Sequence, residues 1–185
     1  MSLGVALAVA FTAAWALMFL FRVESLPAML TAYGGTERFW VVATPAILLT
    51  HVSAASIALS LAPGVEPPAA LAAAVVYAAG VALWFWGRAQ IGPLRRRRLP
   101  DEPPLRFRRD GAFALVRHPL YCAYVLAAGA PLIAMPRLWL LGSFAASVGA
   151  IAVRAIQEER RLHAQLGAAY EAYCRQVKRL IPFVW

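Results

Sequence analysis

The sequence predicts an all-α integral membrane bundle of about five transmembrane helices followed by a C-terminal amphipathic helix. The first observation is composition: 62% of the 185 residues are hydrophobic and the mean hydropathy is +0.64, far more apolar than a soluble domain of this size requires. The second is a series of apolar runs about as long as a bilayer is thick. The third is the concentration of basic residues in two segments of the chain.

Five apolar runs are the predicted spans. Three of them approach the roughly twenty residues that a hydrocarbon core of ~30 Å requires: Leu3–Phe21, Phe39–Leu61 and Pro68–Trp86. Two shorter runs, Leu120–Met135 and Leu138–Val153, are separated only by a proline and an arginine and predict a helical hairpin. No internal repeat and no alternating strand pattern is present. The sequence therefore predicts a single membrane domain.

Two polar segments complete the domain. Residues 87–117 contain four consecutive arginines, Arg95–Arg98, and a proline-rich stretch, and they predict a basic cytoplasmic loop lying on the headgroups. From Arg154 onward, apolar residues recur at spacings of three and four, with charges between them. This spacing predicts an amphipathic helix along the membrane surface or under the bundle. The expected C-terminal segment of the domain is thus 118–185, hairpin included.

The charge distribution indicates orientation. The formal net charge is +9 with only nine acidic residues, which in a soluble protein would suggest a nucleic-acid partner. In a membrane protein, basic residues collect on the cytoplasmic side, and five spans with the N-terminus outside put all basic residues but Arg137 there. We therefore expect a protein of the inner or plasma membrane with its functional face toward the cytoplasm and no nucleic-acid partner. Cys122 and Cys174 match no metal-ligand spacing, and no metal site is expected.

The first unusual stretch is Arg117-His118-Pro119, at the start of the fourth run. Proline is favoured at the first helical position, so His118 is the expected N-cap. The sixteen apolar residues after it rise about 24 Å, so the helix should begin below the membrane surface. Its free N–H groups, with Arg117 and His118, would form an anion-binding recess flanked by Tyr121 and Tyr124. The alternative is a snorkelling arginine, an ordinary helix start and an interfacial tyrosine belt.

The second unusual stretch is the carboxylate pair Glu158-Glu159, directly after the fifth run. Such a pair can accept hydrogen bonds from an amino group or offset a bound cation, although most charge runs of this kind are solvated, salt-bridged faces. Gly167 should break the following helix, and Tyr170 and Tyr173 should then stack on one face. His51, inside the second span, favours a helix-to-helix contact over catalysis.

Read together, these stretches resemble the integral-membrane methyltransferase family that includes isoprenylcysteine carboxyl methyltransferases and phospholipid N-methyltransferases. The resemblance covers roughly the last 80 residues. It depends on the segment 105–121, on the glutamate pair, and on the pattern of Gly167, two tyrosines and the Ile181-Pro182 tail. The family often has glycine shortly after the motif tyrosine, where this chain has Ala123. Residues 1–86 match only as generic apolar spans.

The resemblance implies S-adenosylmethionine as methyl donor, held at the cytoplasmic side, and an apolar acceptor that arrives from the bilayer. The residues it implies for catalysis are His118, Arg117 and Glu159. Those it implies for cofactor binding are Arg117, His118, Pro119, Tyr121, Tyr124, Glu158, Glu159, Tyr170 and Tyr173. The expected partner is a lipid or lipid-like amphiphile.

The residue chemistry fits this donor independently. Arg117 and helix N–H groups suit its carboxylate, and Glu158 or Glu159 suits its amino group. Methyl transfer to a carboxylate needs no base, whereas an amine acceptor must lose a proton, to His118 or a glutamate. The leading hypothesis is an isoprenylcysteine carboxyl methyltransferase-like enzyme. The alternatives are a phospholipid or amine N-methyltransferase, a sterol-type reductase that uses NADPH, and a non-enzymatic scaffold anchored to anionic lipid by its arginines.

Overall fold

The computed structural model describes residues 2–23, 34–62, 64–96 and 108–181. Within them the secondary structure is helical and contains no strand, so the predicted all-α bundle is confirmed. Seven helices are described: α1 (Leu3–Val23), α2 (Gly35–Leu61), α3 (Pro67–Arg96), α4 (Ala112–Leu115), α5 (Pro119–Ala134), α6 (Leu138–Leu166) and α7 (Ala168–Gln176).

Four of these helices are long and apolar enough to cross a membrane, namely α1, α2, α3 and α6. The remaining predicted span corresponds to α5, an apolar helix of 16 residues. At 1.5 Å per residue it rises about 24 Å, less than the ~30 Å hydrocarbon core. A bundle of membrane-spanning helices with one short member is therefore the architecture.

Two predicted boundaries were wrong. The loop was expected to begin at Gly87, but α3 continues to Arg96, and Gly87 lies inside this helix against Pro119 and Leu120 at the start of α5. Likewise α6 does not end at Val153 but runs on to Leu166, so the first part of the predicted amphipathic segment belongs to a spanning helix. The proline-rich stretch, the arginines at 97 and 98 and the motif residues 105–107 lie outside the described residues.

Helices α3 and α5 pack very closely, because small residues line their contact. A Cβ atom on Gly80 would lie 3.0 Å from the carbonyl oxygen of Ala123, and one on Gly87 would lie 3.3 Å from Leu120. Such small-residue contacts are how membrane helices approach each other without a hydrophobic driving force. The backbone of Ala123 therefore lies against α3, and its side chain is buried.

His51 joins three helices in the middle of the bundle. Its side chain is 1% exposed, and its Nε2 lies 2.8 Å from the Ala128 carbonyl oxygen on α5. Its Nδ1 lies 2.8 Å from the Ser143 hydroxyl on α6. Since a carbonyl can only accept, Nε2 is the donor in the first bond. The geometry agrees with the helix-to-helix contact that the sequence favoured.

Candidate functional site

The site is built on the chain segment that leads into α5. His118 is its N-cap residue and Pro119 its first residue, as predicted. The backbone N–H of Arg117 donates to the Lys178 carbonyl at 2.7 Å, and that of His118 donates to the Arg179 carbonyl at 3.1 Å. The C-terminal segment after α7 therefore accepts hydrogen bonds from two N–H groups just before the helix. Fewer backbone N–H groups are then left for the anion that the sequence led us to expect there.

Glu159 is the centre of the polar cluster. Its Oε1 accepts from Arg117 Nε at 2.8 Å and from His118 Nε2 at 3.2 Å. Its Oε2 accepts from Arg179 at both Nε (2.9 Å) and Nη2 (2.6 Å). The Glu159 side chain is only 6% exposed. Charge-assisted bonds of this length are the strong class of hydrogen bond. One carboxylate from α6 thus fastens the start of α5 to the C-terminal segment.

Arg117 is fixed by more than this carboxylate. Its Nη1 donates to the carbonyl oxygens of Cys174 at 3.1 Å and Val177 at 2.7 Å, and its side chain is 10% exposed. Burial disfavours the charged guanidinium, but hydrogen bonding and Coulombic attraction from Glu159 outweigh burial and raise the pKa of Arg117. The arginine is therefore a permanent cation that ties α5, α6 and the end of α7 together.

Glu158 has a different environment from its neighbour. Its Oε2 accepts one hydrogen bond, from the Tyr121 hydroxyl at 2.9 Å, and its side chain is 38% exposed. The same Oε2 lies 3.9 Å from His118 Nδ1, which is beyond hydrogen-bond range. The ring of His118 stacks on that of Tyr121, with centroids 5.4 Å apart. Of the two carboxylates, Glu158 is the one accessible to a ligand.

The two C-terminal tyrosines lie beside the cluster. The Tyr173 hydroxyl donates to the Phe113 carbonyl at 2.6 Å, and burial raises its pKa to about 12. Tyr170 is 1% exposed and lies 5.9 Å from Tyr173 between ring centroids. The Tyr170 ring also meets that of His163 edge-on, with centroids 4.9 Å apart, so both tyrosines are packed beside the cluster.

Tyr124 does not reach the polar cluster. Its hydroxyl accepts from Trp84 Nε1 at 3.0 Å, and its ring stacks on Trp15 at 5.5 Å. Together with Tyr121 it lines a small apolar recess. The other lining residues are Trp15, Phe19, Thr44, Pro45, Leu48 and Leu49. Tyr121 alone borders both the recess and the polar cluster.

Sequence reasoning missed Arg179, which makes two of the four bonds to Glu159. The Lys178-Arg179 pair resembles the headgroup-facing charges of any basic tail, so its pattern carries no specific signal. A second missed contact holds α4: Gln90 Oε1 accepts from the backbone N–H of Ala112 at 3.2 Å. Gly111, with φ 58°, leaves the space that the Gln90 side chain fills. A glycine one residue before a short helix was the available clue.

The arrangement therefore defines a membrane helical bundle with a buried cluster of charged side chains at the start of a short helix, next to an apolar recess between spans. No protein-family model, curated protein or solved structure matches the chain. Among the side chains that the structure describes, no group of three or more His, Cys, Asp or Glu could hold a metal ion.

Proposed function

We propose that the protein is an S-adenosylmethionine-dependent methyltransferase of the isoprenylcysteine carboxyl methyltransferase type, acting at the cytoplasmic side on an acceptor dissolved in the membrane. The observation that carries the proposal is one contact set. Arg117, His118 and the Glu158-Glu159 pair, 40 residues apart in sequence, meet at the start of α5. An apolar recess adjoins them through Tyr121. A polar cluster that can bind a soluble donor thus lies beside an apolar recess open to a lipid-like acceptor, as methyl transfer between the two requires.

The residues present fit the amino-acid end of the donor. Glu158 has a partly exposed carboxylate with one bond to Tyr121, so it is suited to accept from an ammonium group. Arg117 Nη2 makes no hydrogen bond with any residue that the structure describes, so it is available to a ligand carboxylate. Glu159, whose two oxygens accept from Arg117, His118 and Arg179, orients Arg117 and His118 and does not itself bind ligand.

His118 has the geometry of a proton acceptor. Because the Glu159 carboxylate can only accept, His118 Nε2 is the donor in their contact, and Nδ1 lies on the side of Glu158 and Tyr121. If the acceptor is an amine, His118 Nδ1 is placed to take its proton. If it is a carboxylate, no base is needed. The donor supplies an electrophilic methyl group on its sulfonium, and this chain's part is to hold both reactants in line.

The test begins with calorimetric binding to the purified protein in detergent, titrated separately with S-adenosylmethionine and with NADPH. Binding of the first alone is expected. Binding of NADPH alone would favour the reductase, and binding of neither would favour the scaffold; either result overturns the proposal. Incubation with labelled donor and total lipid extract should then yield a labelled amphiphile.

The matched variants are Glu158→Gln and Glu171→Gln. The first should weaken donor binding about tenfold, because it removes the charge that faces the ammonium group. The second changes an exposed carboxylate, 61% exposed and paired with Arg175 on α7, and should leave binding unchanged. Equal affinities of the two variants would remove Glu158 from the site.

A further inference from the structure

The linking segment, residues 111–120, contacts one face of α3 at both of its ends. At its start, Gln90 Oε1 accepts from the backbone N–H of Ala112 at 3.2 Å. At its end, a Cβ atom on Gly87 would lie 3.3 Å from the Leu120 side chain. Positions 87 and 90 are three residues apart on a helix and therefore lie on the same face. One turn of α3 thus holds the linking segment at its start and at its end.

The contact at Gln90 depends on the residues that surround it. Ala112 is 0% exposed, so its N–H cannot turn to water and needs a protein acceptor. Gly111 has φ 58°, a conformation that residues with a side chain rarely adopt. A Cβ atom on Gly111 would also overlap the Gln90 amide group. The same contact therefore requires an acceptor at position 90 and a glycine at position 111.

The charged residues of the linking segment lie between these two contacts. Arg117 and His118 both donate to Glu159 on α6. On the other flank, Tyr173 of α7 donates to the Phe113 carbonyl at 2.6 Å. Without the acceptor on α3, the start of the linking segment would keep this bond to α7 but lose its bond to the spanning bundle. The place of the two cluster residues against α6 would then no longer be fixed from both ends.

We propose that Gln90 is a positioning residue: its bond to Ala112 fixes the linking segment so that Arg117 and His118 meet Glu159. Gln90 itself touches no reactant. Its effect on donor affinity rests on the proposed function, whereas its effect on the linking segment does not.

Hydrogen–deuterium exchange of the full-length protein in nanodiscs, read by mass spectrometry, tests the positioning directly. Gln90→Met removes the acceptor but keeps a side chain of similar length, so residues 111–118 should exchange at least about tenfold faster. Gln90→Glu keeps an acceptor and should retain the wild-type protection. The matched control is Gln165→Met, which changes an exposed glutamine of α6 and should leave exchange unchanged. Unchanged exchange of residues 111–118 in Gln90→Met would overturn the proposal.

Gly111→Ala tests the same contact from the other side, and it serves if Gln90→Met folds poorly. Its Cβ atom displaces the Gln90 amide group, so residues 111–118 should again lose protection. Wild-type protection in this variant would contradict the proposal.

Donor calorimetry separates a positioning role from a purely structural one. In folded Gln90→Met, affinity for S-adenosylmethionine should fall about tenfold and return in Gln90→Glu, whereas Gln165→Met should bind like the wild-type protein. Faster exchange with unchanged donor affinity would make Gln90 a structural residue only and overturn the positioning role. If the wild-type protein binds no donor, the methyltransferase proposal fails, and the exchange of residues 111–118 alone decides whether Gln90 positions the linking segment.

Discussion

Two buried polar centres join helices in this protein, and they do so with different chemistry. His51 bridges α2, α5 and α6 through a carbonyl and a hydroxyl group. Glu159 joins α6 to the start of α5 and the C-terminal segment through two arginines and His118. In apolar surroundings, uncharged groups that are hydrogen-bonded to each other have a small desolvation cost. A buried carboxylate has a large one, which nearby cations must compensate.

The comparison also explains where ligand chemistry is possible. The His51 centre is closed, because both ring nitrogens bond to protein. The Glu159 cluster has a partly exposed neighbour, Glu158, and borders the recess through Tyr121. A polar centre becomes a candidate site when a group beside it is held in place but not saturated.

The largest expected effect is that of Glu159→Gln. It leaves Arg117 and Arg179 without their shared carboxylate, and breaking a buried ion pair from one side costs roughly 3 kcal/mol or more. Thermal unfolding in detergent should show a clear fall in the midpoint. The control Glu171→Gln, in an exposed pair on α7, should change stability by less than about 0.5 kcal/mol. Similar unfolding midpoints for both variants would mean that the Glu159 cluster does not stabilise the fold.

A smaller effect is expected for His51→Leu. The variant removes two interhelical hydrogen bonds and introduces an apolar side chain of comparable size, and such bonds in membrane bundles are worth roughly 0.6 kcal/mol each on average. Reversible unfolding in a mixed-micelle titration measures the loss. Donor binding should remain unchanged, because the centre is closed. Loss of donor binding in a stable, folded variant would assign His51 a functional role. The distinction between a structural His51 centre and a ligand-binding Glu159 cluster would then be wrong.

Tyr173→Phe tests whether the tyrosine beside the cluster makes the stability of the protein depend on pH. Burial raises the pKa of Tyr173 to about 12 from an ordinary value of 10.0, so the folded state holds the proton more tightly than the unfolded state. The stabilisation from this group is therefore complete below pH 10 and is lost as the pH rises toward 12. The variant should be less stable by about 1 kcal/mol at neutral pH and lose less on alkaline titration. If the variant and the wild-type protein lost stability equally between pH 10 and 12, Tyr173 would be excluded as the cause of the alkaline loss of stability.

The smallest effect on stability should come from Glu158→Gln. Its carboxylate is 38% exposed, and glutamine can still accept from Tyr121, so we expect a change within about 0.5 kcal/mol. Its effect should appear in donor binding instead. A large loss of stability would show that both adjacent carboxylates are structural, and the distinction between them would disappear.

The sequence alone predicted the elements whose cause is local. Pro119 begins α5 because its ring fixes φ and it has no N–H to lose, and Gly167, with φ 53°, separates α6 from α7 as expected for a glycine break. The long apolar runs predicted the spanning helices. The end of α3 was predicted too early because Gly87 and the basic residues after it resemble a helix end, whereas in the structure Gly87 lies within the helix and packs against Leu120.

The composition, the apolar runs and the local breaks thus determined a membrane helical bundle, and the motif residues predicted that the start of α5 would lie near the Glu158-Glu159 pair. Only the tertiary structure decided how neighbouring residues divide their roles. Adjacent positions on a helix point about 100° apart, so packing turns Glu159 into the cluster and leaves Glu158 at its edge. Tyr121 and Tyr124, one turn apart, meet Glu158 and Trp84 respectively. Arg179 takes part because the chain end returns to α5, a long-range contact that no local pattern encodes.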